Sequence, residues 1–426
     1  MLSANETRDM VTTVYNRKLL LLIFVFAASI LFSLAYLFFF QEIGPAEHAT
    51  PGTDYLNHYK PNAESILENG SFPVRGHLGL VSAPGYPAFL AITFGIARLT
   101  GIDDFSLVIL FNIFLAAGSA VLLFLITEHL WNRRVALLTS LVWMTYPFGL
   151  WFLKNPHTEI PFIFFLYGAI LTFLISLKQK SVAHIGLTGI LLGVASLIRP
   201  IALFFPIVLV LGIFFMIKER GWRLRLLFAS VLLATYLLTL LPWEIHVFSE
   251  TGEIVLITES STYSVQQGLI FAVRDERAPV PVPDSVRELM EKMKVQNLDT
   301  TDKILRFSFG ELLERPVPFL ELLFIKAARA WYATDRGWYE GRILLLQLLY
   351  LIPAVLAFLY AQKVYKRRAY LLFLPLSIIG FFWFMDFATF PLMRYMVPAM
   401  GFVMIFVALF AEIVLLYLWR KFKMKN

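Results

Sequence analysis

The 426-residue chain is 58% hydrophobic and only 16% charged, with a mean hydropathy of +0.70, whereas soluble globular domains carry about 25% charged residues. That balance excludes a soluble globular protein, and the absence of cysteine excludes disulfides, thiolate metal sites and palmitoylation. The net charge of +7 sits in short segments between apolar runs, so it reports membrane orientation and gives no reason to expect a nucleic-acid partner. The chain reads as an all-α polytopic membrane protein, one integral-membrane domain over 1–426.

Nearly uncharged windows of about 20 residues can cross a hydrocarbon core of roughly 30 Å as helices. Taken in chain order they predict ten spans, at 19–40, 105–127, 135–153, 160–177, 184–198, 201–217, 226–242, 343–361, 369–387 and 395–419. The first is too long for a signal-peptide core and lacks a small-residue cleavage site, so it is expected to remain as an anchor. Two further apolar helices, 84–99 and 317–333, are expected to lie along the outer surface. The positive-inside rule supports this assignment. It puts Arg8, Arg17, Lys18, Arg133, Arg134, Lys178, Lys180, Lys218, Arg220, Arg223 and Arg225 inside, followed by Lys363, Lys366, Arg367, Arg368, Arg420, Lys421, Lys423 and Lys425. Only Glu6, Asp9, Glu128 and Glu219 oppose them, and both termini fall on the cytoplasmic side of a cell membrane. Counting 84–99 as a span would invert the middle of the chain and export Arg220, Arg223 and Arg225.

Two large segments remain outside. The first, 41–104, contains the 84–99 helix. The second, 243–342, opens with a β-prone stretch from Glu253 to Ser264, passes a proline-rich run from Pro279 to Pro283, and turns helical. Its last helix, 317–333, carries Lys326 and Arg329 on an otherwise apolar body, a pattern suited to an interface. Internal repeats are absent, which disfavours a transporter built from repeated halves.

The residues that can carry chemistry cluster at the outer ends of the spans. Asp54 follows the first span by about a dozen residues, among Tyr55, His58 and Tyr59. A loop carboxylate there can take a proton from an acceptor hydroxyl; the alternative is a solvated acid or a helix N-cap. Glu159 lies in LKNPHTE, with His157 two residues before it and Pro156 and Pro161 on either side. Asp54, His157 and Glu159 are conceivable ligands for a divalent cation, but no local motif requires one, so a metal is not favoured. Arg199, in LIRP, ends one helix and starts another. Arg394, in FPLMRYMVP, repeats the arrangement beside Tyr395. An arginine at a helix mouth can pair with phosphate or merely snorkel to the headgroups. Trp243 and Glu244 mark an interfacial aromatic position, Gln266, Gln267 and Gly268 read as a polar turn able to hold hydroxyls, and Glu412 reads as the one acid inside a span.

These residues, in this order, resemble the GT-C superfamily of membrane glycosyltransferases, especially bacterial and archaeal relatives of protein O-mannosyltransferases and of the lipid A aminoarabinose transferase. The matching steps are Asp54 with Tyr59 and Ala63, the turn Leu67 to Gly70, and the Pro-Gly-Tyr-Pro knuckle of Pro84 to Leu90 with Tyr86. Glu159 follows at the mouth of a span, then Gly193, Leu197, Arg199 and Pro200, then Leu241 to Trp243, and finally Arg394, Tyr395 and Pro398. The resemblance implies inverting transfer of a sugar, on the outer face, from a polyprenyl-phosphate-linked donor to a hydroxyl of a glycolipid, polysaccharide or protein. It implies Asp54 as base, Glu159 as a second catalytic acid, and Arg199 and Arg394 on the donor phosphate. His58, Tyr59, Tyr86, His157, Gln267 and Tyr395 would line the substrates, with no cofactor. The chain departs from the pattern at Ala83-Pro84-Gly85, where aminoarabinose transferases show Lys-Pro-Pro, and at Tyr55, where the mannosyltransferases' second loop acid is missing. No large soluble carboxy-terminal domain follows, so acceptor recognition is expected from the two outer segments. The competing class is a membrane transporter or flippase, which would place its polar groups at mid-membrane depth.

Overall fold

The computed structural model describes residues 4–40, 54–74, 79–154, 156–216, 221–258, 260–270, 282–296, 298, 300–335, 337–364 and 369–423. Expectations for Thr53, Lys218, Glu219, Arg220, Pro279, Lys366, Arg367, Arg368 and Lys425 fall outside these residues. The described part is a helical bundle, as the composition requires. Seven helices are long and apolar enough to cross a membrane: α1 (Ala4–Phe40), α4 (Asp104–Leu130), α7 (Glu159–Gln179), α10 (Trp222–Thr251), α15 (Glu340–Val364), α16 (Ala369–Ala388) and α17 (Met393–Lys423). The predicted span 135–153 is two helices, α5 (Arg133–Met144) and α6 (Pro147–Lys154), bent by 48°. Pro147 has no N–H to continue the ladder, and the break falls where it must. α8 (Val182–Ile198) and α9 (Phe205–Met216) are shorter, about 25 and 18 Å long at 1.5 Å per residue. They pack against α7, α10 and α16.

Around these lie α2 (Lys60–Asn69) and α3 (Gly85–Thr100), then α11 (Ser260–Ile270), α12 (Asp284–Val295), α13 (Thr301–Glu314) and α14 (Pro316–Arg329). The β-prone reading of Glu253 to Ser264 is wrong: among the described residues it forms bends and then α11, and Gln266 to Gly268 lie on that helix instead of in a turn. α10 also runs through Pro242 to Thr251, past its predicted end. Helices α11 to α14 share a small core of their own, including Leu269, Leu289, Met293, Phe319 and Leu322.

Two contacts tie the outer segments to the bundle. Gly85 meets the end of α8 so closely that a Cβ there would stand 2.7 Å from the backbone of Leu197 and Ile198. Only glycine permits that approach. Trp243 donates its indole N–H to Ile257 O at 3.0 Å while Glu244 Oε1 accepts from Ile257 N at 3.1 Å. Together they hold a β-branched residue at φ +64°, a costly conformation that the clamp over-determines. The neighbouring Thr258 hydroxyl then donates to Leu80 O, joining the two outer segments.

On α14, Lys326 and Arg329 are buried, while Val317, Leu320 and Phe324 on the same helix are exposed. Arg329 makes a bidentate pair with Glu340, both bonds 2.8 Å. Burial pulls the Lys326 amine down to about 7, against the opposing charge of Asp386. Asp386 itself corrects the reading of Glu412 as the one acid in a span: it is wholly buried in α16, inside the predicted span 369–387. Glu412 meets Asn132 Nδ2 at 3.4 Å, joining α17 to the start of α5.

Two outcomes follow. Gly85→Ala should lower stability by about 1–3 kcal/mol by forcing α3 off α8, read as a lower thermal unfolding midpoint in detergent. Because the chain has no cysteine, single-cysteine variants give unique labels. Arg223→Cys and Glu314→Cys should react with impermeant maleimide from opposite sides of sealed vesicles, and same-side labelling would refute the predicted orientation.

Candidate active site

Four charged side chains from separate elements meet at one end of the bundle. Asp54 stands immediately before a π-helical turn, Tyr55–Tyr59, that runs into α2. Pro61 cannot donate an amide hydrogen and crowds the preceding turn; the chain takes the wider register, with Lys60 N bonded to Tyr55 O. The Asp54 carboxylate caps no backbone N–H, which removes the N-cap reading and leaves it half-exposed. Glu159 is the first residue of α7, where the helix dipole favours an anion. Arg199 ends α8 in an extended conformation (φ −140°, ψ 113°), as a residue before proline must. Arg394 lies in the first turn of α17, whose start is fixed by Leu392 N donating to Asp386 Oδ1 and Met393 N donating to Ala333 O, each 3.0 Å.

The two arginines differ in how they are held. Arg199 and Glu159 are buried, 6% and 1% exposed, with Nη1 2.6 Å from Oε1. That contact is an ion pair without hydrogen-bond alignment, and Glu159 Oε2 has no partner. Arg394 is more accessible. Its Nη1 stands 3.7 Å from Asp54 Oδ2 and 3.9 Å from Asp335 Oδ2, Nη2 donates to the Tyr395 hydroxyl at 3.2 Å, and the buried Nε has no partner. Both arginines stand against the Tyr395 ring, its centroid 5.1 Å from the Arg199 guanidinium and 5.0 Å from that of Arg394. A π face shared by two cations lowers the cost of bringing them together.

The remaining expected residues fall around this group. The Tyr59 and Tyr86 rings meet edge to face at 5.0 Å. Burial raises the Tyr59 hydroxyl well above its ordinary range, with Asp54 and Glu159 raising it further and both arginines opposing. Tyr86 is fully buried and its hydroxyl has no partner. His157 is lowered by burial, against Glu159 and Asp54, and stays neutral at pH 7. His58 Nδ1 is buried without a partner. Gln267 lies on α11 beside Gly268, where a Cβ would stand 1.7 Å from Thr389 O. Sequence reasoning missed Asp335 and Asp386. Asp386 carried a signal, an acid inside a span; Asp335 in ATDRGWYE carried none. Among the described residues, no three His, Asp or Glu side chains gather closely enough to hold a metal ion.

Breaking the buried pair from one side, by Glu159→Gln or Arg199→Met, should cost about 3–5 kcal/mol because the partner is left uncompensated, and the double variant should recover much of it, measured as a double-mutant cycle on thermal stability. His157 adds a pH dependence. Its folded pKa is depressed, so below about pH 6.5 the unfolded chain binds the proton more readily and stability falls with acid. The unfolding midpoint should drop between pH 7 and pH 5, and His157→Gln should remove part of that drop.

Residues 82–246 match the family described as dolichyl-phosphate-mannose-protein mannosyltransferase. The match includes Glu159 and Arg199 and leaves Asp54 and Arg394 outside. No curated protein matches the chain by sequence. The fold is similar to the Archaeoglobus fulgidus oligosaccharyltransferase AglB in complex with an inhibitory peptide and a dolichol-phosphate, at 13% identity and TM-score 0.58, over 95% of this chain and 52% of that one. It is similar also to the apo form of the A. fulgidus oligosaccharyltransferase, at 15% identity and TM-score 0.60, over 94% and 52%. The same enzyme tethered to an acceptor peptide with the NVT sequon matches at 14% identity and TM-score 0.55, over 94% and 50%. The chain thus spans about half the length of the enzymes it resembles. It is similar in sequence, over residues 82–246, to the family described as dolichyl-phosphate-mannose-protein mannosyltransferase, and in fold, over nearly its whole length, to the A. fulgidus oligosaccharyltransferase.

Proposed function

We propose that the chain transfers a sugar from a polyprenyl-phosphate-linked donor to an acceptor hydroxyl on the outer face of a cell membrane, with inversion. The observation that carries this reading is the pair of guanidiniums that both stand against the Tyr395 ring, each with a nitrogen left without a hydrogen-bond partner, and a half-exposed carboxylate 3.7 Å from Arg394. Asp54 takes the proton of the acceptor hydroxyl as its oxygen attacks the anomeric carbon. The bond from that carbon to the phosphate oxygen breaks, and its electron pair stays on the lipid phosphate. Negative charge on the phosphate grows through the step, so a preorganised cation beside it stabilises the transition state more than the ground state.

Arg394 is the direct phosphate ligand in this scheme, since its Nε and Nη1 lack strong acceptors. Arg199 acts through its charge beside Tyr395, and Glu159 keeps that charge balanced. Tyr59, Tyr86, His58, His157 and Gln267 bound the space in which the sugar and acceptor sit. The dolichol-phosphate and acceptor peptide held by the A. fulgidus oligosaccharyltransferase support a lipid-linked donor and a hydroxyl- or amide-bearing polymer as the partner classes; a glycolipid or polysaccharide acceptor fits the same chemistry. Because two arginines supply the cationic charge, the scheme requires no metal.

Asp54→Asn should leave expression and membrane insertion intact and reduce transfer by at least about 100-fold, in line with loss of a general base. The measurement is mass spectrometry of glycolipids and glycoproteins from cells carrying either form, followed by transfer assays on the purified protein. Full activity in that variant would remove Asp54 from the chemistry, and activity abolished by EDTA and restored by a divalent cation would refute the metal-free scheme.

A further inference from the structure

Asp335 lies on the turn between α14 and α15, whose described residues are tied down on both sides of it. Arg329 grips Glu340 with two bonds of 2.8 Å. Glu340 Oε1 also accepts from Thr334 N at 3.1 Å, and the Thr334 hydroxyl donates to Trp338 O at 3.2 Å. Ala333 O accepts from Met393 N at 3.0 Å, fastening the turn to the start of α17. Within it Tyr339 takes φ +62°, a conformation that a bulky side chain adopts only under constraint. The result is a carboxylate delivered to a set place. Asp335 Oδ2 lies 3.9 Å from Arg394 Nη1, the nitrogen that also faces Asp54 Oδ2 at 3.7 Å.

Resting on the phosphate reading above, we propose that Asp335 is the carboxylate that expels the spent lipid phosphate from Arg394. With the site at rest, Arg199 and Arg394 face Glu159, Asp54 and Asp335, one negative charge in excess. Once Asp54 has taken the acceptor's proton, Asp335 and Glu159 balance the two arginines, and the lipid phosphate that remains has no surplus cation to hold it. When Asp54 loses that proton again the excess returns, and the product monoester, which carries more negative charge than the donor's phosphodiester, is repelled more strongly than the donor was, while Arg394 goes back to its two carboxylates. Without Asp335 the protonated site would carry a net positive charge, and the leaving group would stay. Asp335 touches no reacting atom; it is a positioning residue that works through Arg394. A merely structural role would give the opposite sign, because a displaced Arg394 binds phosphate less well.

The test is equilibrium binding of undecaprenyl phosphate to the purified full chain in nanodiscs, titrated at several salt concentrations, with steady-state transfer measured in parallel. Asp335→Asn should bind the lipid phosphate roughly three- to tenfold more tightly at low salt and lower kcat more than it changes KM. Asp335→Glu, which keeps the charge, should resemble the wild type. Unchanged or weaker binding by Asp335→Asn, with the wild type binding normally, overturns the role of Asp335 and leaves the phosphate reading standing. A wild-type chain that neither binds undecaprenyl phosphate nor transfers from a lipid-phosphate donor overturns both.

Discussion

Taking a charge out of water into the mouth of an apolar bundle costs several kcal/mol unless a partner and hydrogen bonds return it, and the architecture of this protein answers that cost at each buried charge. Arg199 is paired with Glu159, Arg329 with Glu340, and Lys326 faces Asp386. Each pair bridges two elements, so satisfying the charge also fixes the relative placement of the helices that carry it. Glu159 sits at the start of α7 and Arg199 at the end of α8, two neighbouring helices that must keep one register for the pair to close. Asp386 does the same for the segment after α16, since its carboxylate holds Leu392 N and thereby sets where α17 and Arg394 begin.

The site is uneven in how well those charges are satisfied, and the unevenness is chemically informative. Arg329 leaves its Nε without a partner, but both of its terminal nitrogens donate to Glu340 at 2.8 Å, the bidentate geometry of a structural guanidinium. Arg394 keeps a buried Nε without a partner and two carboxylates at 3.7 and 3.9 Å, longer than a charge-assisted hydrogen bond. Buried polar atoms are rarely left unbonded. Among the residues that are left with such an atom are Glu159, Arg199, Arg394, His58 and Tyr86, from the segments that meet at the candidate site. A ligand rich in hydroxyl and phosphate oxygens would satisfy groups of that kind, as a lipid-linked sugar does.

Much of the fold was legible in the chain because apolar length and the placement of basic residues are local properties. Seven of the predicted spans are long apolar helices, one is a bent pair and two are short helices, and the helices expected at 84–99 and 317–333 are present as α3 and α14. The failures share a cause. Glu253 to Ser264 looked β-prone by residue type, but the clamp of Trp243 and Glu244 on Ile257 and the contact of Gly268 with Thr389 decide its conformation. Lys326 and Arg329 sit on an apolar helix, and nothing near them in the chain shows that buried acids on α16 and α15 turn them inward.

The sequence by itself determined the class of molecule and the helix end at Arg199-Pro200, and it singled out Asp54, Glu159, Arg199 and Arg394 as candidates. Those follow from hydropathy, proline geometry and residue chemistry, which need no knowledge of neighbours. Only the tertiary structure decided which carboxylate belongs to which arginine, that both guanidiniums stand against Tyr395, and that Asp335 shares Arg394 with Asp54. Such pairings join residues up to hundreds of positions apart, and no spacing along the chain encodes them; they arise when apolar helices pack and their few charges must find partners out of water.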